Sequence, residues 1–241
     1  MGGAMCYQLE RFLKAQQSYK DNTPIQAYMR DCLLNMLLDT KRKDFSYIFE
    51  FGCGQCELTY MLTQKLDYKQ YICNDINEYK DIKLPQNTQN LCFDMRNIAL
   101  TEIYSKKFNL IASNACLQWL PFAETIQNLK HMLLSQGFLL IGTFGIDNFR
   151  EIKEITGIGL PYIESCVMKK HLESDFELLS WHEERISLSF ESPLEVFRHI
   201  KKGGVNALQT RFIKKSWLTQ YTDFYNNTLT YHIICFLAKR C

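Results

Sequence analysis

Glu50, Gly52, Gly54, Asp75 and Asp94 are the residues whose type and position could do chemistry together. The first three lie in one stretch, FSYIFEFGCGQCELTYML, over Phe45–Leu62. A short apolar run, Tyr47-Ile48-Phe49, reads as a strand. Glu50 closes it, Gly52 and Gly54 follow, and Glu57, Leu58, Met61 and Leu62 open an apolar-periodic helix. Strand, tight turn and helix in that order make a ligand cradle. Glycine takes positive φ cheaply and lets backbone approach a ligand, and the helix start aims unpaired N–H groups at it. A nucleotide-like cofactor suits such a turn. The dinucleotide pattern G-x-G-x-x-G would need a third glycine at position 57, which is Glu57. A carboxylate there would face a pyrophosphate, so NAD and FAD fit badly.

Asp75 supplies a second signal. It ends the run Gln70–Cys73 and follows Glu50 by about 25 residues, a place from which an acid accepts hydrogen bonds from ribose hydroxyls. The pattern E-x-G-x-G, with Cys56 standing where a further glycine is usual, resembles the first motif of class I S-adenosylmethionine (SAM) methyltransferases. That resemblance implies that Gly52 and Gly54 approach the methionine and ribose part of SAM and that Glu50 supports its amino-acid end. It also implies that Asp94 receives the adenine amino group with Met95 against the ring; the alternative for Asp94 is a plain helix N-cap. Asn114 lies at the ligand end of a central run, FNLIASN, and joins the cofactor set or caps the substrate pocket. Trp119 walls that pocket or fills core. The segment FLKAQQSYKDNTPIQAYM resembles the N-terminal lid of small-molecule SAM methyltransferases, in which Ser18, Tyr19 and Gln26 take the closing positions.

These residues need an alternating strand–helix series to hold them. Two helices, Tyr7–Tyr19 and Ile25–Leu38, come first. Runs of strand type then fall at Gln70–Cys73, Asn90–Phe93, Phe108–Ser113 and Phe138–Phe144, with helices at Glu57–Leu66, Arg96–Tyr104 and Phe122–Leu134 between them. Ser135-Gln136-Gly137 turns the chain. The expected fold is α/β and Rossmann-like: a mainly parallel seven-stranded sheet with helices on both faces. Beyond it, Asn148–Thr156 reads as helix, Phe176–Phe190 as a strand with a charged middle, Pro193–Lys202 and Lys214–Asn226 as helices, and Leu229–Ala238 as the last strand. The chain is read as a single domain, with lid helices over 6–42, a cofactor-binding core over 45–145 and a helical insertion over 191–227.

The composition suits this. At 241 residues and 46% hydrophobic, one sizeable core can form. A net charge of +2 argues against nucleic acid as a partner. No apolar run approaches the length of a membrane span. No apolar leader precedes the ten cysteines, whose irregular spacing reads as free thiols in a reducing cytoplasm. Cys53 and Cys56 spell C-x-x-C, but a zinc knuckle needs a second pair, and none has suitable spacing, so no metal is expected. A redox pair at a helix start is the other reading of that motif.

Two peptides carry a narrower resemblance: GTFGIDNFREIKEITGIGLPY (Gly142–Tyr162) and SPLEVFRHIKKGGVNA (Ser192–Ala207). With FLKAQQSY and SNACLQW they resemble the malonyl-[acyl-carrier protein] O-methyltransferases of biotin synthesis over nearly the whole chain. Cys56, Cys116 and Gly203 depart from the pattern, where a glycine, an aliphatic residue and a threonine are usual. The resemblance implies methyl transfer from SAM to the free carboxylate of a malonyl thioester on acyl carrier protein, with malonyl-CoA as a possible substitute, by a monomer. A carboxylate is already ionised at neutral pH, so no acid–base catalyst is expected. Carboxylates are commonly gripped by arginine. Arg198 is the first candidate, His199 and Asn206 are secondary, and Arg150 is the runner-up; without the resemblance, a solvated helix charge is the favoured reading of Arg198. Lys201, Lys202, Arg211, Lys214 and Lys215 form a basic cluster suited to an acidic carrier protein. The competing readings are another small-carboxylate SAM methyltransferase and a SAM-binding regulator without catalysis.

Overall fold

A computed structural model describes residues 23–79, 81–202 and 213–241. The expected helix Tyr7–Tyr19, with Ser18 and Tyr19, lies outside the described residues, as do Gly203, Asn206 and Arg211. Helix α1 (Pro24–Asp39) leads into β1 (Tyr47–Phe51), α2 (Glu57–Thr63), β2 (Gln70–Asp75) and β3 (Thr88–Cys92). Two 3-10 helices, Met95–Leu100 and Glu102–Ser105, precede β4 (Phe108–Asn114). A 3-10 turn, Leu117–Trp119, then α3 (Phe122–Met132) and β5 (Leu133–Phe144) follow. The chain continues through α4 (Arg150–Thr156), α5 (Ser165–Leu172), β6 (Phe176–Ser189), α6 (Pro193–Lys202), α7 (Lys215–Tyr225) and β7 (Thr228–Arg240).

The seven strands form one sheet in the order β3-β2-β1-β4-β5-β7-β6. β1 pairs in parallel with both β2 and β4, and β2–β3 and β4–β5 are also parallel. Strand order therefore reverses between β1 and β4, the switch point outside which open α/β sheets bind ligands. Registers bring the strand ends level there: Phe51 lies opposite Asn74, Glu50 opposite Ala112, and Asn114 opposite Gly142. Central strands covered on both faces read as continuous apolar runs, and Ile48, Phe49 and Phe51 are all fully buried. β6, at the sheet's edge, instead mixes buried and exposed positions.

By compactness the chain divides into two units. Of the described residues, one comprises those within Tyr28–Thr143, Ile163–Glu183 and Ile234–Cys241; the other comprises 23–27, Phe144–Tyr162, 184–202 and 213–233. The core of the first gathers Phe49, Phe51, Phe108, Ile111, Leu139 and Phe236 with one face of α3, which is Phe122, Ile126 and Leu129. In α1, Met29, Leu33 and Leu37 recur every fourth residue and are wholly buried, the spacing of a single helix face.

Several boundaries differ from the sequence expectation. β3 starts at Thr88 rather than Asn90 and ends at Cys92. Arg96–Tyr104 is a pair of 3-10 helices, because Thr101 takes an extended conformation between them. β5 begins at Leu133, and the Ser135-Gln136-Gly137 turn becomes an irregularity inside the strand: Gln136 has φ 61°, and pairing steps from Phe108↔Leu133 to Leu110↔Phe138. Helix α4 starts at Arg150, since Phe149 is left-handed at φ 56°. Helix α5 was not foreseen; its apolar face is only Met168 and Leu172, too short a stripe to stand out in sequence.

Candidate cofactor site

The site is built on the turn after β1. Gly52, Gly54 and Cys56 take φ values of 66°, 54° and 64°, so left-handed residues alternate along it. Gly52 has no substitute: a Cβ there would stand 2.3 Å from Cβ and 2.4 Å from Sγ of Cys116. Nothing lies within 4 Å of a Cβ placed on Gly54, which leaves room for a ligand to approach the backbone. Cys53 donates its N–H to the Asn74 carbonyl at 3.0 Å, tying the turn to β2, and Cys56 donates to the Cys53 carbonyl at 2.8 Å.

Asp75 ends β2 facing this turn. Its Oδ2 accepts the Gly54 N–H at 2.9 Å, and its Oδ1 accepts the backbone and side-chain N–H groups of Asn77 at 2.9 and 3.1 Å. These donors fix the orientation of a carboxylate that is only 8% exposed. Burial pushes its pKa up, and the three hydrogen bonds oppose that shift. Asn77 escaped the sequence reading; its place two residues after an aspartate is the signal of an Asx turn.

Glu50 lies beneath the turn. Thr59, on α2, donates its hydroxyl to Oε2 at 2.6 Å, and the Tyr71 hydroxyl of β2 donates to the same oxygen. Burial raises the pKa of Glu50 to about 8, against the lowering effect of those two donors. A pKa near 8 makes the group mainly a neutral acid at pH 7, one that joins β1 to α2 and β2.

After β3, Asp94 caps the first 3-10 helix by accepting the Arg96 N–H at 3.0 Å, and it pairs with the Arg96 guanidinium at 2.5 Å. Met95 beside it is buried. Asn114 closes β4, and the next residue, Ala115, donates to the Gly142 carbonyl at 2.8 Å. Gly142 is constrained in turn: a Cβ on it would meet Asn114 Oδ1 at 2.6 Å. Gln118 joins this loop to β5 by donating to the Ala115 carbonyl and accepting from the Thr143 hydroxyl. Trp119 is half-buried on the same 3-10 turn.

One unit thus gathers Glu50, Gly52, Gly54, Asp75, Asp94, Met95, Asn114 and Trp119. The remaining described candidates belong to the other unit. Gln26 is buried, at the start of α1. Arg198 is exposed on α6, away from the buried Val196, Phe197 and Ile200. His199 shares a hydrogen bond with the Tyr231 hydroxyl at 2.8 Å and packs its ring 5.1 Å from that of Phe190. Burial, with a smaller contribution from Lys202, holds its pKa below the ordinary value. Arg150 is exposed, 3.5 Å from Glu151 Oε1. Glu151 is itself buried and accepts the N–H and hydroxyl of Thr230.

The second unit also holds a network that sequence reading missed. Asn148 donates to the Tyr162 hydroxyl at 2.8 Å and accepts the His232 N–H at 3.3 Å. The Asp147 N–H donates to His232 Nδ1 at 3.2 Å, and Arg185 donates to Asp147 Oδ2 at 2.8 Å. A Cβ on Gly145 would lie 2.6 Å from the His232 ring, so the glycine admits it. Asn148 and Tyr162 lie in one of the peptides singled out in sequence, but His232, 70 residues or so further on, is brought to them by β7, whose His232 carbonyl accepts the Gly145 N–H.

The chain is 32% identical to the malonyl-[acyl-carrier protein] O-methyltransferase of Acinetobacter baylyi, over 96% of this chain and 95% of that one. This chain belongs to that family. The namesake of Calditerrivibrio nitroreducens is 30% identical over 95% of this chain and 94% of its own. No protein-family model matches. Among solved structures, the 1,6-didemethyltoxoflavin-N1-methyltransferase of Burkholderia thailandensis, with bound 1,6-didemethyltoxoflavin and S-adenosylhomocysteine, aligns with a TM-score of 0.57 at 12% identity, over all of this chain and 91% of that one. The N-methyltransferase NodS of Bradyrhizobium japonicum, in complex with S-adenosyl-L-homocysteine, aligns with a TM-score of 0.53 at 13% identity, over 94% and 98%. At such identities the likeness establishes the fold, which is that of class I methyltransferases. The single seven-stranded sheet is the one expected from the sequence, and no helix among the described residues is long and apolar enough to cross a membrane.

Proposed function

We propose that this chain transfers a methyl group from SAM to the free carboxylate of malonyl-[acyl-carrier protein], giving the methyl ester that primes pimeloyl synthesis for biotin in the cytoplasm. The observation that carries the reading is the near full-length likeness, at 32% identity, to an enzyme of that name. The donor site supports it. An acid whose orientation is fixed by three N–H donors suits a pair of ribose hydroxyls, and the open side of Gly54 suits a ligand pressed to backbone. SAM supplies an electrophilic methyl on a sulfonium. The protein's part is to hold Asp75, the glycine turn, Met95 and Asn114 in place around the donor, with Asp94 toward its adenine.

The acceptor carboxylate is ionised at neutral pH and needs no base. Alignment and exclusion of water supply the acceleration. Arg198 presents an exposed guanidinium able to grip a carboxylate in two places, and Arg150 is the alternative. Exposed Lys201, Lys202, Lys214 and Lys215 form a basic face that would steer an acidic carrier protein. The test is a mixture of the protein, methyl-labelled SAM and either malonyl- or acetyl-carrier protein. Base-labile methyl ester should form on the malonyl carrier alone; no ester on it ends the proposal. Arg198→Ala should retain SAM binding and lose methyl transfer, and normal transfer by that variant moves the carboxylate grip elsewhere.

A further inference from the structure

Folding places three buried cysteines together around the cofactor turn. Cys53 and Cys56 come from the turn, and Cys73 comes from β2, where it lies opposite Glu50 in the register. Cys56 and Cys73 are fully buried and Cys53 is 5% exposed. Their three sulfurs lie within 4.8 Å of one another, and Cys56 Sγ stands 4.0 Å from Cys73 Sγ. That gap is far too wide for a disulfide, whose sulfurs are about 2.05 Å apart. Three sulfurs at about 2.3 Å around one centre in a plane stand about 4.0 Å apart, which is the Cys56–Cys73 gap; the trio as a whole, within 4.8 Å, needs only a small contraction to reach that spacing.

The backbone adds an independent observation. Cys56 sits at φ 64°, a left-handed conformation that favours glycine, at the position where the motif usually has glycine. A side chain is thus kept where glycine would relieve the backbone, and its sulfur points at Cys73. Among the described residues no fourth cysteine, histidine or carboxylate joins the cluster. The nearest other donor atom is the Gln89 carbonyl oxygen, 3.5 Å from Cys73 Sγ, followed by Asn90 Oδ1, 3.7 Å from Cys73 Sγ and 3.9 Å from Cys53 Sγ.

We infer that Cys53, Cys56 and Cys73 form a three-thiolate site for a soft d10 metal cation, of the kind represented by Cu(I). Thiolates select soft ions, and hard cations such as Mg2+ and Ca2+ need oxygen cages that are absent from this cluster. Zn2+ prefers a fourth strong ligand and should bind more weakly than Cu(I). An ion here would staple the turn to β2 on the side of the sheet end that carries Asp75, so occupancy stabilises the turn that holds the donor. Metal binding to a folded site raises the unfolding temperature by mass action.

The test uses the full chain, fully reduced and under argon. Cd2+ serves as an optical probe through its sulfur-to-metal charge-transfer band, and Cu(I) is supplied in competition with a chromogenic Cu(I) chelator. The wild type should bind one tight equivalent of either ion and unfold several degrees higher when loaded. Cys56→Gly, which restores glycine where the backbone favours it, should fold, bind at least 100-fold more weakly and gain no thermal stability from the ion. Cys73→Ser should behave likewise. Equal affinity in the wild type and Cys56→Gly overturns the site, as does a loaded wild type that unfolds no higher than the metal-free protein. These readouts need no methyl transfer, so they stand or fall apart from the proposed activity.

Discussion

The backbone N–H of Gly54 donates to Oδ2 of Asp75 at 2.9 Å, so the acid offered to a donor's ribose also holds the glycine turn in shape. The two roles predict a joint loss. Asp75→Ala should weaken SAM binding by about 1.5–3 kcal/mol, the usual cost of removing a charged hydrogen-bond partner. It should also lower stability, since Gly54 and Asn77 lose their acceptor. Asp75→Asn keeps one acceptor oxygen and should lose less of both. Calorimetric titration with SAM and urea unfolding read the two effects separately; unchanged affinity in Asp75→Ala removes the ribose assignment.

The two glycines of the turn should respond differently to one added methyl. Gly52→Ala meets Cys116 at 2.3 Å and a left-handed backbone together. Overpacking and the φ penalty should cost about 2–5 kcal/mol. Gly54→Ala meets only the φ penalty, about 1–2 kcal/mol, because nothing else is near. Gly54→Ala should therefore fold well and show its defect in SAM affinity. Thermal unfolding of the two variants side by side measures the difference, and equal losses would contradict the packing against Cys116.

Glu50 should tolerate glutamine far better than alanine. Glutamine keeps an acceptor for Thr59 and Tyr71 and carries no charge, so Glu50→Gln should lie within about 1 kcal/mol of the wild type below pH 4.5, where the wild-type carboxyl is protonated folded and unfolded alike. Alanine leaves two buried hydroxyls without their acceptor and opens a cavity, a loss of about 2–4 kcal/mol. The pH dependence has a definite sign. Burial raises the folded pKa from 4.5 to about 8, so the wild type's stability from this group is complete below pH 4.5 and is lost as pH rises through about 8. Glu50→Gln should gain on the wild type across that window in urea midpoints.

His199 gives the opposite slope. Its folded pKa is depressed below 6.5 by burial between Phe190 and Tyr231, with Lys202 adding like charge. The unfolded chain takes up a proton near pH 6.5 while the folded chain does not, so stability falls as pH drops from 6.5 through the folded value. A His199→Gln variant should flatten the urea midpoint between pH 7.5 and 5.5 relative to wild type. A wild-type slope retained in the variant would assign the acid sensitivity to another group.

Much of the fold was legible because parallel strands, buried on both faces, announce themselves as short apolar runs closed by turn or acidic residues. The strand end at Glu50, the turn at Gly52 and Gly54 and the strand end at Asp75 were legible that way, since the spacing between strand ends is a property of the chain. The Gln136 irregularity and the 3-10 character around Thr101 were not legible, because local backbone geometry there answers to pairing and packing rather than to residue type. For Asp94, sequence allowed both a cap and a ligand; the folded chain shows the cap, with Arg96 as its ion-pair partner, and the adenine role belongs to the proposal.

By itself the sequence determined the alternation of strands and helices, the glycine turn and the kinship with malonyl carrier-protein methyltransferases. Those are written in periodicity and in short peptides, which survive without any knowledge of long-range contacts. Only the tertiary structure decided that Cys73 joins Cys53 and Cys56, that Cys116 forbids a side chain at Gly52, and that Glu50 is neutral beneath the turn. Each depends on strands far apart in the chain lying about 4.8 Å apart in a sheet. No spacing rule along one chain can state that distance.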